Sequence, residues 1–383
     1  MRHVAIVGAG AFGAATAAHL AARGDRVTLI DPGPIPHPLA ESTDISKAVR
    51  ADYGSDEPYA AAMDEALAGW HRWNAEAGAP LFHRTGMLFL TRGEMTDDTF
   101  EQASFDTLTR RGHEVERLDE AAITRRFPAW RGHAGGYINP RAGFAESGNV
   151  VSWLVERAIS AGAAVIGDAR VTVLEPRARC APRIVLANGD TLDADVVIVA
   201  AGAWSRDLVP ALASLLRPTA HPVFHLTPRD PRLFEATRFP TFGADISKTG
   251  WYGFPLHAGV VKIANHGAGR EIHPSSGRSV TDEERAALRA FVATYLPDLA
   301  DAPIVSERTC IYGDTIDEHF LIDRVPDVPG LVVAAGGSGH GFKFAPLVGA
   351  WVASVLDGRA PVLDGRFAWR EPGPLGQEQA RAR

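Results

Sequence analysis

The chain has 383 residues, which is more than one ordinary hydrophobic core accommodates, so two domains are expected. Its 46% hydrophobic and 22% charged residues are typical of a soluble globular protein, and a formal net charge of -7 argues against nucleic acid as a partner. No run of about 18 uncharged apolar residues predicts a membrane span. With only Cys180 and Cys310, the sequence favours neither a disulfide framework nor a structural zinc site, and a cytoplasmic location is expected.

The N-terminus predicts a βαβ unit built around a GxGxxG turn. The predicted order is a strand at Val4–Val7, glycines at Gly8, Gly10 and Gly13, a helix at Ala14–Arg23, a strand at Val27–Ile30, and Asp31. Gly8 permits the tight turn, Gly10 lets the backbone approach a pyrophosphate, and Gly13 allows close packing of helix and strand. The helix N-terminus attracts phosphate, and Asp31 can accept hydrogen bonds from a ribose diol. The motif predicts a dinucleotide site but does not distinguish NAD from FAD.

A stiff proline-rich loop follows, and then the segment ESTDISKAVRADYG at 41–54. Ser42, Thr43 or Asp44 can cap a helix that begins near Ile45. Lys47 and Arg50 then lie three positions apart on one helical face. Spacing alone favours a solvated basic face there over a site for an anionic group.

Beyond this segment, helices and strands alternate. Helices are predicted at 57–77, 99–112, 119–127, 148–161 and 281–295, and strands at 81–82, 85–91, 171–174 and 184–186. A turn-bounded strand region is predicted at 136–144 and a strand-rich region at 221–263. The apolar run at 195–204 suits a central parallel strand buried on both faces. The strand at 331–335 enters a glycine-rich loop, Gly336–Phe344, and a helix follows at 345–356. The last residues, Glu371–Arg383, predict a frayed tail.

Three stretches together resemble one family. They are GAGAFG at 8–13, CIYGDTIDEHFLID at 310–323 and GGSGHGFKF at 336–344. The chain resembles the monomeric sarcosine oxidase group of FAD-dependent amine oxidases, within the D-amino-acid oxidase superfamily, from about residue 2 to about residue 355. The resemblance implies an α/β (α+β) fold, with a Rossmann-like FAD-binding domain (1–80, 145–215, 320–365) interleaved with a substrate domain on an antiparallel sheet (81–144, 216–319).

The resemblance also implies roles in holding the cofactor. Cys310 corresponds to the cysteine that forms a thioether with the flavin 8α-methyl group, so FAD is expected to be covalent. Lys47 stands where sarcosine oxidase has an arginine beside the flavin. The further implied FAD contacts are Gly8, Gly10, Phe12, Gly13, Asp31, Gly337, Gly339, His340, Gly341 and Lys343.

Other matched positions imply catalytic and substrate roles. Lys262 corresponds to the lysine that activates oxygen, where a cation stabilises developing negative charge. Arg50 and Lys343 correspond to the pair that holds a substrate carboxylate, which suits a guanidinium fork and an ammonium. His266 lines the implied pocket and also counts as a catalytic candidate. Tyr252, Tyr312 and Trp251 are expected near the substrate, with Trp251 in place of a family tyrosine.

The segment Asp44–Lys47 and Gly313, which replaces a threonine, depart from the sarcosine oxidase pattern. The DxxK run is closer to fructosyl-amino-acid, pipecolate and saccharopine-type oxidases. The expected substrate is therefore a secondary amine or N-substituted amino acid, and glycated or cyclic amino acids are alternatives.

The implied reaction oxidises the C–N bond of a neutral amine, reduces O2 to hydrogen peroxide and leaves an imine that water hydrolyses. Proton abstraction by His266 is an alternative to a mechanism without a base. Three rival functions remain: an FAD dehydrogenase with another acceptor, an NAD-linked dehydrogenase, and a flavin subunit of a larger complex. The expected state is a monomer or small homo-oligomer with small-molecule partners.

Overall fold

The glycine-rich turn lies at the edge of a parallel sheet in the computed structural model, which describes residues 1–96, 99–359, 362–373 and 379–382. The strands are β1 (His3–Val7), β2 (Arg26–Ile30), β3 (Lys47–Val49), β4 (Phe82–His83), β5 (Met87–Thr91), β6 (Glu116–Asp119), β7 (Gly135–Asn139), β8 (Gly143–Ala145), β9 (Ala164–Ile166), β10 (Val171–Glu175), β11 (Arg183–Leu186), β12 (Thr191–Leu192), β13 (Val196–Val199), β14 (Leu216–Leu226), β15 (Thr241–Ala244), β16 (Trp251–Gly253), β17 (Val261–Asn265), β18 (Arg270–Glu271), β19 (Ile304–Thr315), β20 (Leu321–Arg324) and β21 (Leu331–Ala335). The helices are α1 (Ala11–Ala22), α2 (Glu57–Ala77), α3 (Phe100–Arg110), α4 (Glu120–Arg126), α5 (Ser147–Ser160), α6 (Ser205–Leu208), α7 (Ile246–Thr249), α8 (Asp282–Tyr295) and α9 (Ala345–Leu356).

The first sheet has the strand order β20–β21–β13–β1–β2–β9 within the described chain. All neighbours are parallel except β20 and β21. Its central strands are apolar on both faces because α1, α5 and α9 cover one face, while β10 and β11 pack on the other. The carboxyl ends of β1, β2, β13 and β21 therefore meet at one edge, which is where ligands bind in open sheets of this kind.

The second sheet runs β18–β14–β17–β16–β15–β5–β7–β6 in the part of the chain that is described, and β19 pairs along β14. Its pairs are antiparallel except β15 with β5. A separate apolar core, formed by residues such as Trp130, Phe239 and Phe291, covers one face. The mixed α/β class and the antiparallel second sheet predicted from the sequence are confirmed.

The helix predicted to begin near Ile45 is wrong. Residues 47–49 instead form β3, which pairs antiparallel with Gly143–Ala145. The carboxylate of Asp44, which could have capped a helix, is bound by Lys262 and His225. A partner strand almost a hundred residues away therefore overrides the local capping signal.

The predicted frayed tail also differs from the structure where residues are described. Residues 380–382 are buried, and Arg381 has 1% of its surface exposed. Residues 374–378 and 383 of the predicted tail lie outside the described residues. Among the helices that are described, none is long and apolar enough to cross a bilayer.

Candidate active site

A cavity of about 730 Å³ opens along the carboxyl edge of the parallel sheet. Its volume lies within the roughly 300–1,000 Å³ range of small-molecule and cofactor sites. The predicted cofactor residues that line it are Gly8, Gly10, Phe12, Asp31, Lys47, Gly337, Gly339 and Gly341. We call it the larger cavity.

The turn after β1 brings the backbone to one end of the larger cavity. Gly8 has a φ of +103°, and a Cβ there would lie 2.5 Å from the carbonyl oxygen of Ala200. A Cβ on Gly13 would lie 1.8 Å from the carbonyl oxygen of Gly8, so Gly13 packs against the turn and does not line the cavity. The Ala11 amide of α1 donates to Ser42 Oγ at 3.1 Å, a contact that the sequence did not indicate.

Asp31 follows β2 at the same end of the larger cavity. Its Oδ2 accepts from the Ala9 amide at 2.7 Å, and its Oδ1 accepts from the Gly33 amide at 3.3 Å. Burial raises the pKa of Asp31, and the two amides oppose that rise. These bonds orient the carboxylate at the cavity wall, where it can accept from a ribose hydroxyl.

Glu41 is a cavity residue that sequence analysis missed. It lines the larger cavity in the loop after β2. Burial raises its pKa to about 7, and the amide of Gly313 opposes the rise. No motif marks Glu41, since it acquires its position only when the loop folds against β19.

A smaller cavity of about 60 Å³ adjoins the larger one. It is lined by Lys47, Ala48, Arg50, Met87, Ile246, Tyr252, Phe254, His266, Tyr312, Gly339, His340, Phe342 and Lys343. Lys47, Tyr312, Gly339 and Phe342 line both cavities. The structure therefore brings the predicted carboxylate pair, Arg50 and Lys343, together with most of the predicted substrate residues.

A hydrogen-bond chain fixes Lys343. Its Nζ donates to the Tyr53 hydroxyl at 3.1 Å, and that hydroxyl lies 2.9 Å from His340 Nδ1. His340 Nε2 lies 2.9 Å from the Glu318 carbonyl oxygen, which can only accept, so a neutral His340 carries its proton on Nε2. Tyr53 then donates to Nδ1 and accepts from Lys343, which makes every bond in the chain consistent.

Arg50 lies 5.3 Å from the centre of the Tyr53 ring and is 4% exposed. The buried Asp52 carboxylate accepts from the Tyr137 hydroxyl at 2.7 Å and from Asn139 at 3.1 Å. Burial raises the pKa of Asp52, and the charge of Arg50 opposes that rise. The aromatic ring and the nearby carboxylate hold the guanidinium at the smaller cavity.

The hydroxyls of Tyr252 and Tyr312 lie 3.4 Å apart at the smaller cavity. Burial raises the pKa of both, so both hydroxyls stay protonated and can donate. The His266 ring lies 5.8 Å from that of Tyr312. These polar groups line the smaller cavity together with the apolar side chains of Met87 and Ile246.

Lys262 lies on β17, fully buried, and does not line either cavity. Its Nζ contacts Asp44 Oδ2 at 2.9 Å and donates to the Ser46 carbonyl oxygen at 2.6 Å. Burial lowers the pKa of Lys262 to about 8, against the opposing charge of Asp44. Burial would raise the pKa of Asp44, but Lys262 and His225 outweigh it and hold that pKa well below its usual range.

Cys310 is buried on β19, next to the larger cavity. Its Sγ lies 3.9 Å from Lys47 Nζ and 4.0 Å from the Glu41 carbonyl oxygen. Both neighbours line the larger cavity, although Cys310 itself is not among the lining residues.

Trp251, which was expected near the substrate, lies elsewhere in the structure. Successive side chains of a strand point to opposite faces, so Trp251 points away from the face that carries Tyr252. Its ring stacks on Phe291, with centroids 5.0 Å apart, in the core that covers the far side of the second sheet. Trp251 therefore does not reach the smaller cavity.

Away from both cavities, His83, Glu146 and His257 come within 4.8 Å of one another through their ligand-type atoms. His83 Nε2 lies 2.6 Å from Glu146 Oε1, and the two histidine rings pack on Phe144. The hydrogen bond between His83 and Glu146 and the aromatic packing account for this cluster.

The family model described as FAD dependent oxidoreductase, DAO, matches residues 3–355. The chain belongs to this family. It is 30% identical to monomeric sarcosine oxidase of Bacillus sp. (strain B-0618) over 90% of both chains. It is 27% identical to N-methyl-L-tryptophan oxidase of Yersinia pestis (strain Pestoides F), covering 94% of this chain and 96% of the relative.

Among solved structures, fructosamine oxidase (Amadoriase II) of Aspergillus fumigatus superposes with a TM-score of 0.82 at 26% identity, covering 96% of this chain and 89% of that one. The larger cavity fits the FAD that the family requires. The turn at Gly8 and Gly10 and the start of α1 line it together with Asp31, which is the arrangement that would hold a pyrophosphate and a ribose, and Gly337, Gly339 and Gly341 line it as well.

Proposed function

We propose that this FAD-dependent oxidoreductase oxidises the C–N bond of a small N-substituted amino acid to an imine, which water then hydrolyses. The observation that carries the proposal is the smaller cavity, where Arg50 and Lys343 meet beside the cavity that fits FAD. Two buried cations suit a carboxylate, because charge-assisted hydrogen bonds are strong where water is excluded. The names of the two curated relatives describe oxidases of N-methylated amino acids, which agrees with this site.

In this mechanism, Arg50 and Lys343 hold the substrate carboxylate, and the chain Lys343–Tyr53–His340 keeps the ammonium in place. The hydroxyls of Tyr252 and Tyr312 supply further donors in the same cavity. FAD, when bound, supplies the acceptor for the two electrons that leave the substrate carbon and nitrogen. The chain's own contribution is to orient the amine and to exclude water, so that its reacting carbon faces the larger cavity.

The size of the smaller cavity favours a small N-substituent. One water needs about 10–15 Å³ of such volume, so a cavity of about 60 Å³ holds only a few non-hydrogen atoms. The Asp44–Lys47 run and the likeness to Amadoriase II support a glycated amino acid as a second candidate. That substrate requires the cavity to widen on binding.

We further propose dioxygen as the electron acceptor. Lys262 is the candidate group that supplies positive charge to it, held by Asp44. Cys310 is the candidate for covalent attachment. Formation of a thioether from its thiol and the 8α-methyl group is an oxidation, with dioxygen as the final acceptor and hydrogen peroxide as the by-product.

An anaerobic screen tests the function. The FAD-loaded protein is mixed with N-methyl amino acids, cyclic amino acids and fructosyl amino acids, and loss of the visible flavin absorbance is followed. Each N-methyl amino acid is paired with the same amine lacking the carboxylate. We expect fast reduction only with the carboxylate present, followed by peroxide formation when air is admitted. Equal reduction by the amines without a carboxylate, or no reduction by any compound, would contradict the proposal.

A further inference from the structure

The C-terminal residues 379–382 are anchored to the smaller cavity. The backbone amide of Ala382 donates to the His266 carbonyl oxygen at 3.1 Å. Arg381 Nε donates to the carbonyl oxygen of the next residue, Gly267, at 2.9 Å. The tail therefore binds directly along the segment that presents His266.

The guanidinium of Arg381 forms two buried ion pairs. Its Nη2 lies 2.7 Å from Asp314 Oδ2, and its Nη1 lies 3.0 Å from Glu318 Oε1. The three side chains are 2%, 1% and 7% exposed. Removing one partner of such a set leaves buried charge without compensation, so these carboxylates hold the tail firmly in place.

One of these ion pairs leads to Tyr312. Asp314 lies two residues after Tyr312 on β19, and it accepts from the Thr219 hydroxyl. Thr219 Oγ1 lies 2.9 Å and Arg381 Nη2 lies 3.2 Å from His221 Nε2. The His221 ring stacks on the Tyr312 ring with centroids 3.8 Å apart. Arg381 thus supports, through His221, the Tyr312 ring, which lines both cavities.

The other ion pair leads to Lys343. Glu318, which binds Arg381 through its side chain, accepts from His340 through its carbonyl oxygen. His340 orders Tyr53, and Tyr53 accepts from Lys343. Arg381 is therefore connected to Lys343 through four contacts, with Glu318, His340 and Tyr53 between them.

We propose that residues 379–382 are part of the substrate site, with Arg381 as a positioning residue that fixes His266, Tyr312 and Lys343. This inference rests on the proposed function, since it concerns the same smaller cavity. Arg381 acts through other residues and does not itself line either cavity.

Anaerobic reduction of the FAD-loaded full chain separates positioning from mere stability. In Arg381→Met we expect the dissociation constant of the best substrate to rise about tenfold, while the limiting rate of reduction changes less than about threefold. Arg381→Lys keeps the charge and should recover part of the affinity. Arg23→Met is the matched control, because Arg23 forms a bidentate pair with Asp357 remote from the cavities. Substrate affinity unchanged in Arg381→Met would overturn the proposal.

A second measurement does not need a substrate. Ala382 is buried, so Ala382→Cys in a Cys180→Ser background should react slowly with a thiol reagent. Adding Arg381→Met should accelerate the labelling of the introduced cysteine at least about tenfold. If that variant does not fold, Arg381→Lys takes its place and should accelerate labelling by a smaller factor. Equal labelling rates with and without the substitution would refute docking of the tail. If no amine reduces the wild-type flavin, the proposed function fails while the labelling still tests the tail.

Discussion

Lys262 is buried beside the carboxylate of Asp44, and its charge changes with pH in the region of pH 8. Because burial lowers its pKa to about 8, the ammonium predominates below that pH and is lost as the pH rises through it. Asp44 retains its negative charge throughout, since its own pKa lies well below the usual range. A reaction that needs the cation should therefore slow above about pH 8.

For Lys262→Met we predict that reoxidation by dioxygen slows by at least about a hundredfold, while reduction by substrate changes much less, since preorganised charge at such a site is worth about 3–4 kcal/mol. Stopped-flow spectroscopy measures both half-reactions. In the wild type, reoxidation should slow as the pH rises through about 8, and Lys262→Met should lose that dependence. Lys248→Met, at a largely exposed lysine, is the control. Equal slowing of both half-reactions would count against the oxygen role.

Cys310 carries the prediction about attachment of the cofactor. Acid precipitation of the wild type should leave the yellow colour in the pellet, and Cys310→Ala should release it to the supernatant with the fold intact. Cys180→Ser, at the exposed cysteine, should behave like the wild type. Free flavin in the wild-type supernatant would exclude the thioether and would leave FAD as a dissociable cofactor.

Helix α1 meets the turn after β1 so closely that only glycine fits at position 13. A Cβ there would overlap the Gly8 carbonyl oxygen, so Gly13→Ala must push α1 away from the cavity end that is expected to hold pyrophosphate. We predict a loss of about 1–3 kcal/mol in the free energy of unfolding, together with weakened FAD binding. Chemical denaturation and flavin titration measure these effects. Gly93→Ala, where an added Cβ meets nothing within 4 Å, should leave both unchanged.

Capping and spacing signals in the sequence predicted correctly those elements whose conformation depends on residues close by in the chain. Helix α8 shows this, because Thr281 and Glu284 form the capping box that their spacing indicates. Strand β3 shows the opposite, because its conformation depends on β8 and its expected cap residue binds Lys262.

The residues of the candidate site were likewise predicted only in part. The predicted residues that line the cavities include Gly8, Gly10, Asp31, Arg50, Tyr312 and Lys343, whereas Gly13 packs against the turn. Trp251 was misplaced, because a family position does not reveal which face of a strand a replacement side chain occupies. Glu41 and Arg381 were missed, since only the folded chain brings each beside its partners.

At the scale of the whole molecule, the larger cavity joins the two sheets. Val7 and Ile30 reach it from the parallel sheet, while Arg278 and Tyr312 reach it from the region that includes the second sheet. A ligand that fills this cavity therefore contacts residues from the parallel sheet and from the region of the second sheet. Its binding energy should therefore stabilise the folded chain as a whole and not one sheet alone.

We predict that the melting temperature of flavin-free Cys310→Ala protein rises by several degrees with added FAD and continues to rise with FAD concentration. A ligand at a hundred times its dissociation constant stabilises the native state by about 2.7 kcal/mol when it does not bind the unfolded chain. Riboflavin is the control, because it lacks the groups expected at Gly10 and Asp31 and should stabilise much less. Differential scanning calorimetry should show one transition in the FAD-loaded protein. A melting temperature that does not respond to FAD, or an equal response to riboflavin, would mean that the dinucleotide end of the cavity does not bind the cofactor.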